Sequence, residues 1–542
     1  MVYTNYMSND ARYDEEQATL RRARMLNLSY ADTSQVADKK IYENVLTKEE
    51  MYQAKLIPLQ LDKSNLLFGI TTMTSQQTMK TLRDRFQDQR VAYALISDAG
   101  YREYMRLYDP PKKVEYQSIE INTAGTEELV KNVSLTLDQV RADDMLGYMV
   151  QQAHKLGSSD IHIEAQKDDI RIRFRIDGVL HPIARVSREK YRILLSAIAS
   201  AGNISTGSPE AQQGHIAQRV RMADGAEVDI NVRLETVPTV NGIDVVMRLF
   251  NMEQNMYVLD KLGLSKQERE VVDDIIDKPS GLVMVVGPTG SGKTTTLYSM
   301  LNSLNSEERK IITIEDPVEY QFEGISQIPV VHDSASGHDT GFADKLRAVL
   351  RLDPDIVMVG EIRDADTART ALQASLTGHL VLTTFHASNA AAALTRLMDV
   401  IGQNPLFVSA IRLVMAQRLI RRLDDDTKIA YTPSESELAE LKEVIDGFPS
   451  NIEKPDITKI QLYKPGSSTE NPYGYRGQLA VREQFMMSGE IRALLEQTHT
   501  ILSTQAIEEA AINSGMHTMK QDGVMKALAG ETTLEEVYRV VG

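Results

Sequence analysis

Residues 287–295 read Gly-Pro-Thr-Gly-Ser-Gly-Lys-Thr-Thr. Gly287, Gly292, Lys293 and Thr294 fit the spacing G-x-x-x-x-G-K-[ST], with Pro288, Thr289, Gly290 and Ser291 between them and Thr295 after. This pattern suits a triphosphate. Glycines let the backbone come close to phosphate oxygens and turn its N–H groups toward them at a helix N-terminus. Lys293 can reach the β and γ phosphates, and the Thr294 hydroxyl can ligate Mg²⁺. All nine residues are therefore candidate nucleotide-binding residues, with ATP and Mg²⁺ as the expected ligands.

The elements around the loop are legible too. Leu282 to Val286 is almost wholly apolar, as expected of a strand buried on both faces of a parallel sheet, and Thr295 to Leu304 reads as the helix that follows. Three more apolar runs each end in a reactive residue. Ile311–Ile314 ends at Glu315 and Asp316, Ile356–Val359 at Gly360 and Glu361, and Leu380–Thr383 before His386. Ligands of an open α/β sheet bind at the carboxyl ends of its strands, so four such ends define one site.

Hydrolysis of ATP needs a held triphosphate, neutralised charge and a water placed in line. Glu361 is the candidate to orient or deprotonate that water; the alternative is a strand-end carboxylate that caps the helix beginning at Asp364. Glu315, Asp316 and Glu319 supply negative charge near Mg²⁺, directly or through waters, with Asp316 the candidate metal ligand. His379 and His386 flank the fourth strand. His379 follows a Thr377-Gly378 helix cap and His386 lies next to the site, both as candidates to contact nucleotide by hydrogen bonding.

Composition narrows the class. Hydrophobic residues make up 42% and charged residues 25% of 542, which describes a soluble globular chain of two to four domains. No apolar run is long enough to span a bilayer and the N-terminus lacks signal-peptide character, so a cytoplasmic location is expected, with membrane contact only through partners. The chain has no cysteine, which excludes disulfides, thiol catalysis and cysteine-ligated zinc. A net charge of -16 disfavours wrapping nucleic acid.

The expected organisation is a polar tail over 1–36 with one short helix at Asp14 to Asn27, a small α/β domain over 37–109 and a linker over 110–135. A second domain follows over 136–250, then a connector at 251–262, a nucleotide-binding core at 263–423 and a C-terminal subdomain at 424–542. In the second domain Ile170, Ile172, Phe174 and Ile176 alternate with Arg171, Arg173 and Arg175 up to an Asp177-Gly178 turn. That arginine face is either a solvated strand edge or a binding surface. Arg233 and Arg248 lie on two later strands, Val228–Leu234 and Ile243–Leu249, and Arg233 is a candidate finger reaching a neighbouring subunit's nucleotide.

Taken together, the loop at 287–295, Ile-Glu-Asp-Pro-Val-Glu-Tyr at 314–320, Leu-Arg-Leu-Asp-Pro-Asp-Ile-Val-Met-Val-Gly-Glu-Ile-Arg-Asp at 350–364 and Thr-Gly-His-Leu-Val-Leu-Thr-Thr-Phe-His-Ala at 377–387 resemble the secretion ATPase superfamily. Within it the chain looks like the type IV pilus assembly and type II secretion motors. In that family the four segments are the Walker A, aspartate, Walker B and histidine boxes. The resemblance runs from about Asp38 to Gly542. It implies a RecA-like P-loop ATPase core preceded by a PAS-like α/β domain and a small N-terminal α/β domain. It also implies a homohexamer with nucleotide between the second domain of one subunit and the ATPase domain of another, Arg233 and less securely Arg248 acting in trans. The partners implied are a polytopic inner-membrane platform protein and associated cytoplasmic assembly proteins. The implied work is ATP-driven extension of a pilus or pseudopilus. A retraction motor, a DNA-translocating ATPase and a nucleotide-gated scaffold are the rivals.

Two departures from the family pattern stand out. The usual four-cysteine zinc motif is absent at Asp424-Asp425-Asp426 and at 464–471, so no zinc is expected. The usual Gln-Asp-Gly-Arg reads Gln212-Gln213-Gly214-His215.

Overall fold

A computed structural model describes the chain except residues 1–14, 34–35, 37–38, 43, 63, 110–118, 120–125, 142–143, 222–226, 251–256, 331–340, 403–404, 450–453, 458–459, 469–470, 472 and 497–502. The start of the expected tail, most of the expected linker and half of the connector thus lie outside the described residues. Two compact units are present, Met1–Tyr116 and Gln117–Gly542.

In the first unit, β1 (Ser29–Tyr30), β2 (Leu56–Leu61), β3 (Asn65–Ile70) and β4 (Arg90–Leu95) form a sheet in the order β1-β4-β3-β2. Its core includes Leu56, Phe68, Leu95 and Tyr104, all at most 2% exposed. Helices Lys48–Ala54, Gln76–Arg85 and Asp98–Tyr108 each begin at a hydroxyl cap, Thr47, Ser75 and Ser97. Part of the expected tail belongs to this unit. Residues 15–25 are helical, and the buried Glu16 accepts hydrogen bonds from Ser97 Oγ and Tyr30 Oη at 2.7 Å each. A charged segment can dock when its carboxylate turns inward to donors.

The second unit opens with β5 (Ser158–Ala165), β6 (Ile170–Ile176), β7 (Val179–Val186), β8 (Gln212–Arg221), β9 (Glu227–Thr239) and β10 (Gly242–Phe250), an antiparallel sheet ordered β7-β6-β5-β10-β9-β8. Thr126–Gln139, placed in the expected linker, is a helix on this domain, with Ser134 Oγ accepting from the Arg185 backbone N–H at 2.8 Å. The arginine face is an ion-paired one. Glu164 takes Arg171 at 2.8 Å and also Arg173, while Asp160 takes Arg175 at 3.4 Å.

A third sheet carries the phosphate loop. It comprises β11 (Gly281–Val286), β12 (Ile311–Glu315), β13 (Ser326–Pro329), β14 (Ile356–Val359), β15 (Leu380–Phe385) and β16 (Ile411–Leu423). After a small hairpin of β17 (Ile429–Tyr431) and β18 (Leu462–Lys464), β19 (Tyr475–Met486) closes it in the order β13-β12-β14-β15-β11-β16-β19. All pairs are parallel except β16 with β19. Every residue of β11, β14 and β15 is buried because apolar clusters cover both faces. The expected boundary at 423/424 falls inside this sheet's topology, since β19 completes it from the C-terminal side.

At that boundary a hydrogen-bonded clasp occupies the cysteine-free positions. Asn471 Nδ2 donates to Asp424 Oδ2 at 2.8 Å and to the Tyr475 carbonyl at 3.0 Å, while Asn471 Oδ1 accepts from Gly474 N–H at 3.1 Å.

Candidate functional site

The loop after β11 has the shape its residue types call for. Gly290 and Gly292 sit at φ of 77° and 81°, and Gly292 is the left-handed cap of helix Lys293–Leu304. A Cβ on Gly287 would lie 2.5 Å from Ser291 Oγ and 2.6 Å from the Gln417 carbonyl, so only glycine fits there. Lys293 Nζ rests on the carbonyls of Gly287 and Pro288 at 2.9 Å each. Burial pushes this ammonium below its ordinary range; Glu361 opposes the shift and Arg418 adds to it. Ser291 Oγ is buried with no hydrogen-bond partner. An orphaned buried donor, a cationic Lys and a helix N-terminus around one turn fit the phosphates of a nucleotide. Thr294 lies on the first turn of that helix.

Glu361 stands two residues beyond β14 with both oxygens engaged. Oε1 meets His386 Nε2 at 2.9 Å and Oε2 accepts from Arg363 Nε at 2.8 Å. Arg363 also reaches Asp316 at 3.5 Å. The helix cap that Glu361 could have been is supplied instead by Asp364, which accepts from Thr367 N–H at 2.8 Å. Glu361 is therefore free of a capping duty, and its charge is felt at Lys293.

Two expectations change. Glu315 was expected in the chemistry, yet it is 3% exposed and saturated by protein donors: Tyr298 Oη, Thr313 Oγ1 at 2.5 Å and Gln327 Nε2 at 3.0 Å. Burial raises its pKa against those bonds. Three protein donors and burial at the end of β12 turn most of this carboxylate toward the protein. Tyr298 Oη in turn accepts from Glu319 N–H at 3.3 Å, so Glu315 braces the backbone that presents Glu319.

His379 was expected to contact nucleotide. Its carbonyl accepts from Gly281 N–H at 3.1 Å and its Nδ1 lies 3.0 Å from the Ala374 carbonyl, at the starts of β15 and β11. The phosphate loop leaves the other end of β11, a strand length of about 20 Å away. His379 closes a helix C-terminus there.

Arg233 and Arg248 come to the site within the one chain. Glu319 is solvent-accessible, yet burial of its carboxyl pushes its pKa up, reinforced by Glu315, while Arg248, Arg233 and Lys293 all pull it down. Arg248 Nε is held by Asp160 Oδ1 at 2.9 Å. Arg233 lies 3.4 Å from Gln213 Oε1 and pairs across strands with His215. Burial first, then the Arg233 charge, holds the His215 imidazole below its usual range. Within the one chain both arginine charges thus act on the acidic loop.

The sequence reading missed Tyr298, Gln417 and Arg418. Leu413–Ala416 is another apolar run, and β16 is β11's direct neighbour with Ala416 opposite Val286. The strand-end rule applied to that run would have found the last two.

Comparison with known proteins agrees with this geometry. The family model described as type II/IV secretion system protein matches residues 138–539. The type II secretion system protein E of Xanthomonas campestris is 41% identical over 73% of this chain and 66% of its own length. The type IV pilus assembly ATPase PilB of Thermus thermophilus is 34% identical over 89% of this chain and 51% of its own. The chain thus spans half to two thirds of these two relatives. Among solved structures, the ATPase DotB of Legionella pneumophila shares the fold at a TM-score of 0.52 and 24% identity, covering 73% of this chain and 94% of that one. The chain belongs to the type II/IV secretion system protein family.

Proposed function

We propose that this chain is an ATPase motor subunit that works at the cytoplasmic face of a membrane, hydrolysing Mg²⁺-ATP to drive extension of a type IV pilus or a type II secretion pseudopilus. The carrying observation is Glu361 clamped between His386 and Arg363 at the strand end beside Lys293. The loop amides, Lys293 and Ser291 hold the triphosphate. Bound Mg²⁺ would neutralise phosphate charge, with Thr294 and Asp316 the residues to hold it. Glu361 takes the proton of the attacking water, and its two partners keep the carboxylate in one rotamer. Arg233 and Arg248, facing Glu319, add positive charge where the γ phosphate would lie, so nucleotide occupancy pulls the β5–β10 sheet onto the core.

A hexameric ring, a polytopic membrane platform protein as partner and pilin-like subunits as cargo complete the reading. The names of the relatives support the secretion and pilus-assembly setting of this reading. No helix among the described residues is long and apolar enough to cross a membrane, in keeping with a platform reached through partners. The test is steady-state ATP hydrolysis across a protein dilution series, with Glu361→Gln and Arg233→Ala alongside. Activity that rises with assembly and is lost in both variants, with ATP still bound, supports the motor. Wild-type protein that binds ATP in assembled rings but turns it over no faster than Glu361→Gln would instead indicate a scaffold.

A further inference from the structure

One buried side chain holds the phosphate loop by both ends of its amide. Gln417 on β16 is 1% exposed. Its Nε2 donates to the Ser291 carbonyl at 2.6 Å and its Oε1 accepts from Thr296 Oγ1 at 2.9 Å. The first bond ties down the residue before Gly292. The second reaches the first turn of the helix that begins at Lys293. The two bonds therefore straddle the peptide units whose N–H groups must face phosphate.

The close approach of β16 is visible from the glycines. A Cβ on Gly292 would lie 3.0 Å from Gln417 Nε2, and one on Gly287 would lie 2.6 Å from the Gln417 carbonyl. A carbonyl oxygen such as that of Ser291 repels phosphate, so a loop that binds anions must keep it turned outward. Gln417 supplies the donor that rewards this orientation. Its amide donates to a carbonyl through nitrogen and accepts from a hydroxyl through oxygen from one buried position.

The next residue extends the connection. Arg418 Nη2 donates to the Ser388 carbonyl at 2.5 Å, two residues beyond His386, and its Nη1 donates to the Gln417 carbonyl at 3.0 Å. One strand segment thus links the phosphate loop to the loop that carries the partner of Glu361.

We propose that Gln417 is a positioning residue for nucleotide binding, fixing the Ser291 peptide so that the phosphate loop is already in its anion-binding shape before ATP arrives. This rests on the nucleotide-site reading above. Gln417 touches no nucleotide; it acts through Ser291 and Thr296. The expected consequence is specific to binding. Without the amide, the Ser291 peptide samples the inward orientation and part of the population cannot accept phosphate, which weakens apparent affinity by that fraction.

The experiment measures ATP affinity by isothermal titration, and hydrolysis at saturating ATP, for wild type, Gln417→Leu, the double variant Gln417→Leu with Thr296→Val, and Lys293→Ala. Leucine nearly matches the volume but offers no hydrogen bond. The double variant also removes the hydroxyl left unpaired, which recovers the melting temperature if Gln417→Leu has lowered it. The expected result is an ATP Kd raised about tenfold or more in both Gln417 variants, with kcat at saturation within about threefold of wild type, because the loop regains its shape once occupied. The decisive comparison is the double variant. Weak binding with a wild-type melting temperature supports positioning, whereas wild-type affinity in either folded Gln417 variant overturns it. If Lys293→Ala loses ATP while Gln417→Leu keeps it, this proposal alone fails; if wild type binds no ATP, the nucleotide-site reading fails with it.

Discussion

His386 Nε2 lies 2.9 Å from Glu361 Oε1, while Arg363 Nε holds the other oxygen at 2.8 Å. A carboxylate fixed on both sides keeps one rotamer and one basic face, as a base aimed at a single water requires. Glu361→Gln should lower kcat by about 10²–10⁴-fold with little change in ATP affinity. His386→Ala should cost about tenfold, since Arg363 still holds one oxygen. Single-turnover hydrolysis beside equilibrium binding checks both, and equal losses in the two variants would place His386 in the chemistry itself.

Glu315 and Glu361 both lie at the ends of core β-strands, but Glu315 accepts three hydrogen bonds from Tyr298, Thr313 and Gln327. Glu315→Gln should therefore leave kcat within about threefold of wild type. Tyr298→Phe strips one donor from Glu315 and one acceptor from Glu319 N–H. It should destabilise the fold by about 1–3 kcal/mol. Chemical denaturation and kcat measured on the same two variants separate the roles; a Glu315→Gln enzyme as slow as Glu361→Gln would return Glu315 to the catalytic set.

Acid sensitivity should centre on Glu536, in the helix Leu534–Val541. Burial alone would raise its pKa, but hydrogen bonds from Arg539 and Arg421 outweigh it and hold the carboxyl at about 2, below the reference value of 4.5. With the folded pKa depressed, the unfolded state binds more protons between those values. The stability contributed is then present above about 4.5 and is lost as pH falls toward about 2. Melting temperature against pH should fall across that window in wild type and less steeply in Glu536→Gln, which starts lower at neutral pH. Parallel curves would remove Glu536 as the cause.

The Asp424–Asn471 clasp binds the end of β16 to the start of β19, with Arg476 also 3.6 Å from Asp424. A chelator should leave the melting temperature of the nucleotide-free protein unchanged. Asn471→Ala, which leaves the buried Asp424 carboxylate short of a donor, should cost about 1–3 kcal/mol. A drop of several degrees with chelator would instead reveal a structural metal.

What could be read from the sequence follows a physical line. The runs Leu282–Val286, Ile356–Val359 and Leu380–Thr383 announced β11, β14 and β15 because strands buried on both faces are almost wholly apolar and carry no charge. The loop announced itself because glycine is needed at Gly287 and Gly292. The fate of a strand-end residue was not legible. Glu315 and Glu361 look alike in the sequence, and only the side chains that converge on them, Tyr298 from a helix and His386 from a loop, decide which one is spent. His379 and His386 flank one strand, so one of them had to lie at the far end of the sheet. The helix within the expected tail was legible, but its docking, and that of 126–135 read as linker, were not, because the attachments are to residues distant in sequence, Ser97 and Arg185.

The placement of Arg233 and Arg248 toward Glu319 of their own chain gives a mixing prediction. Arg233→Ala removes a cation from the site and Lys293→Ala removes the phosphate clamp, so each protein alone should be inactive. If the arginine serves the nucleotide of its own chain, every subunit in a mixture carries one broken site, and mixing restores nothing. If it serves a neighbour's nucleotide, an Arg233→Ala subunit that receives the arginine of a Lys293→Ala subunit has a complete site. Random mixing at equal ratio would then produce about one complete site in four, counted by the probability that the pair falls in the right order. The expected outcome is the first, with hydrolysis in the mixture equal to the mean of the two single variants. Asp160→Ala, which releases Arg248 from its 2.9 Å partner, should lower kcat in the same way as Arg248→Ala and should likewise not be rescued by mixing with Lys293→Ala. Recovery toward a quarter of wild-type rate in either mixture would show that the arginines act across a subunit boundary.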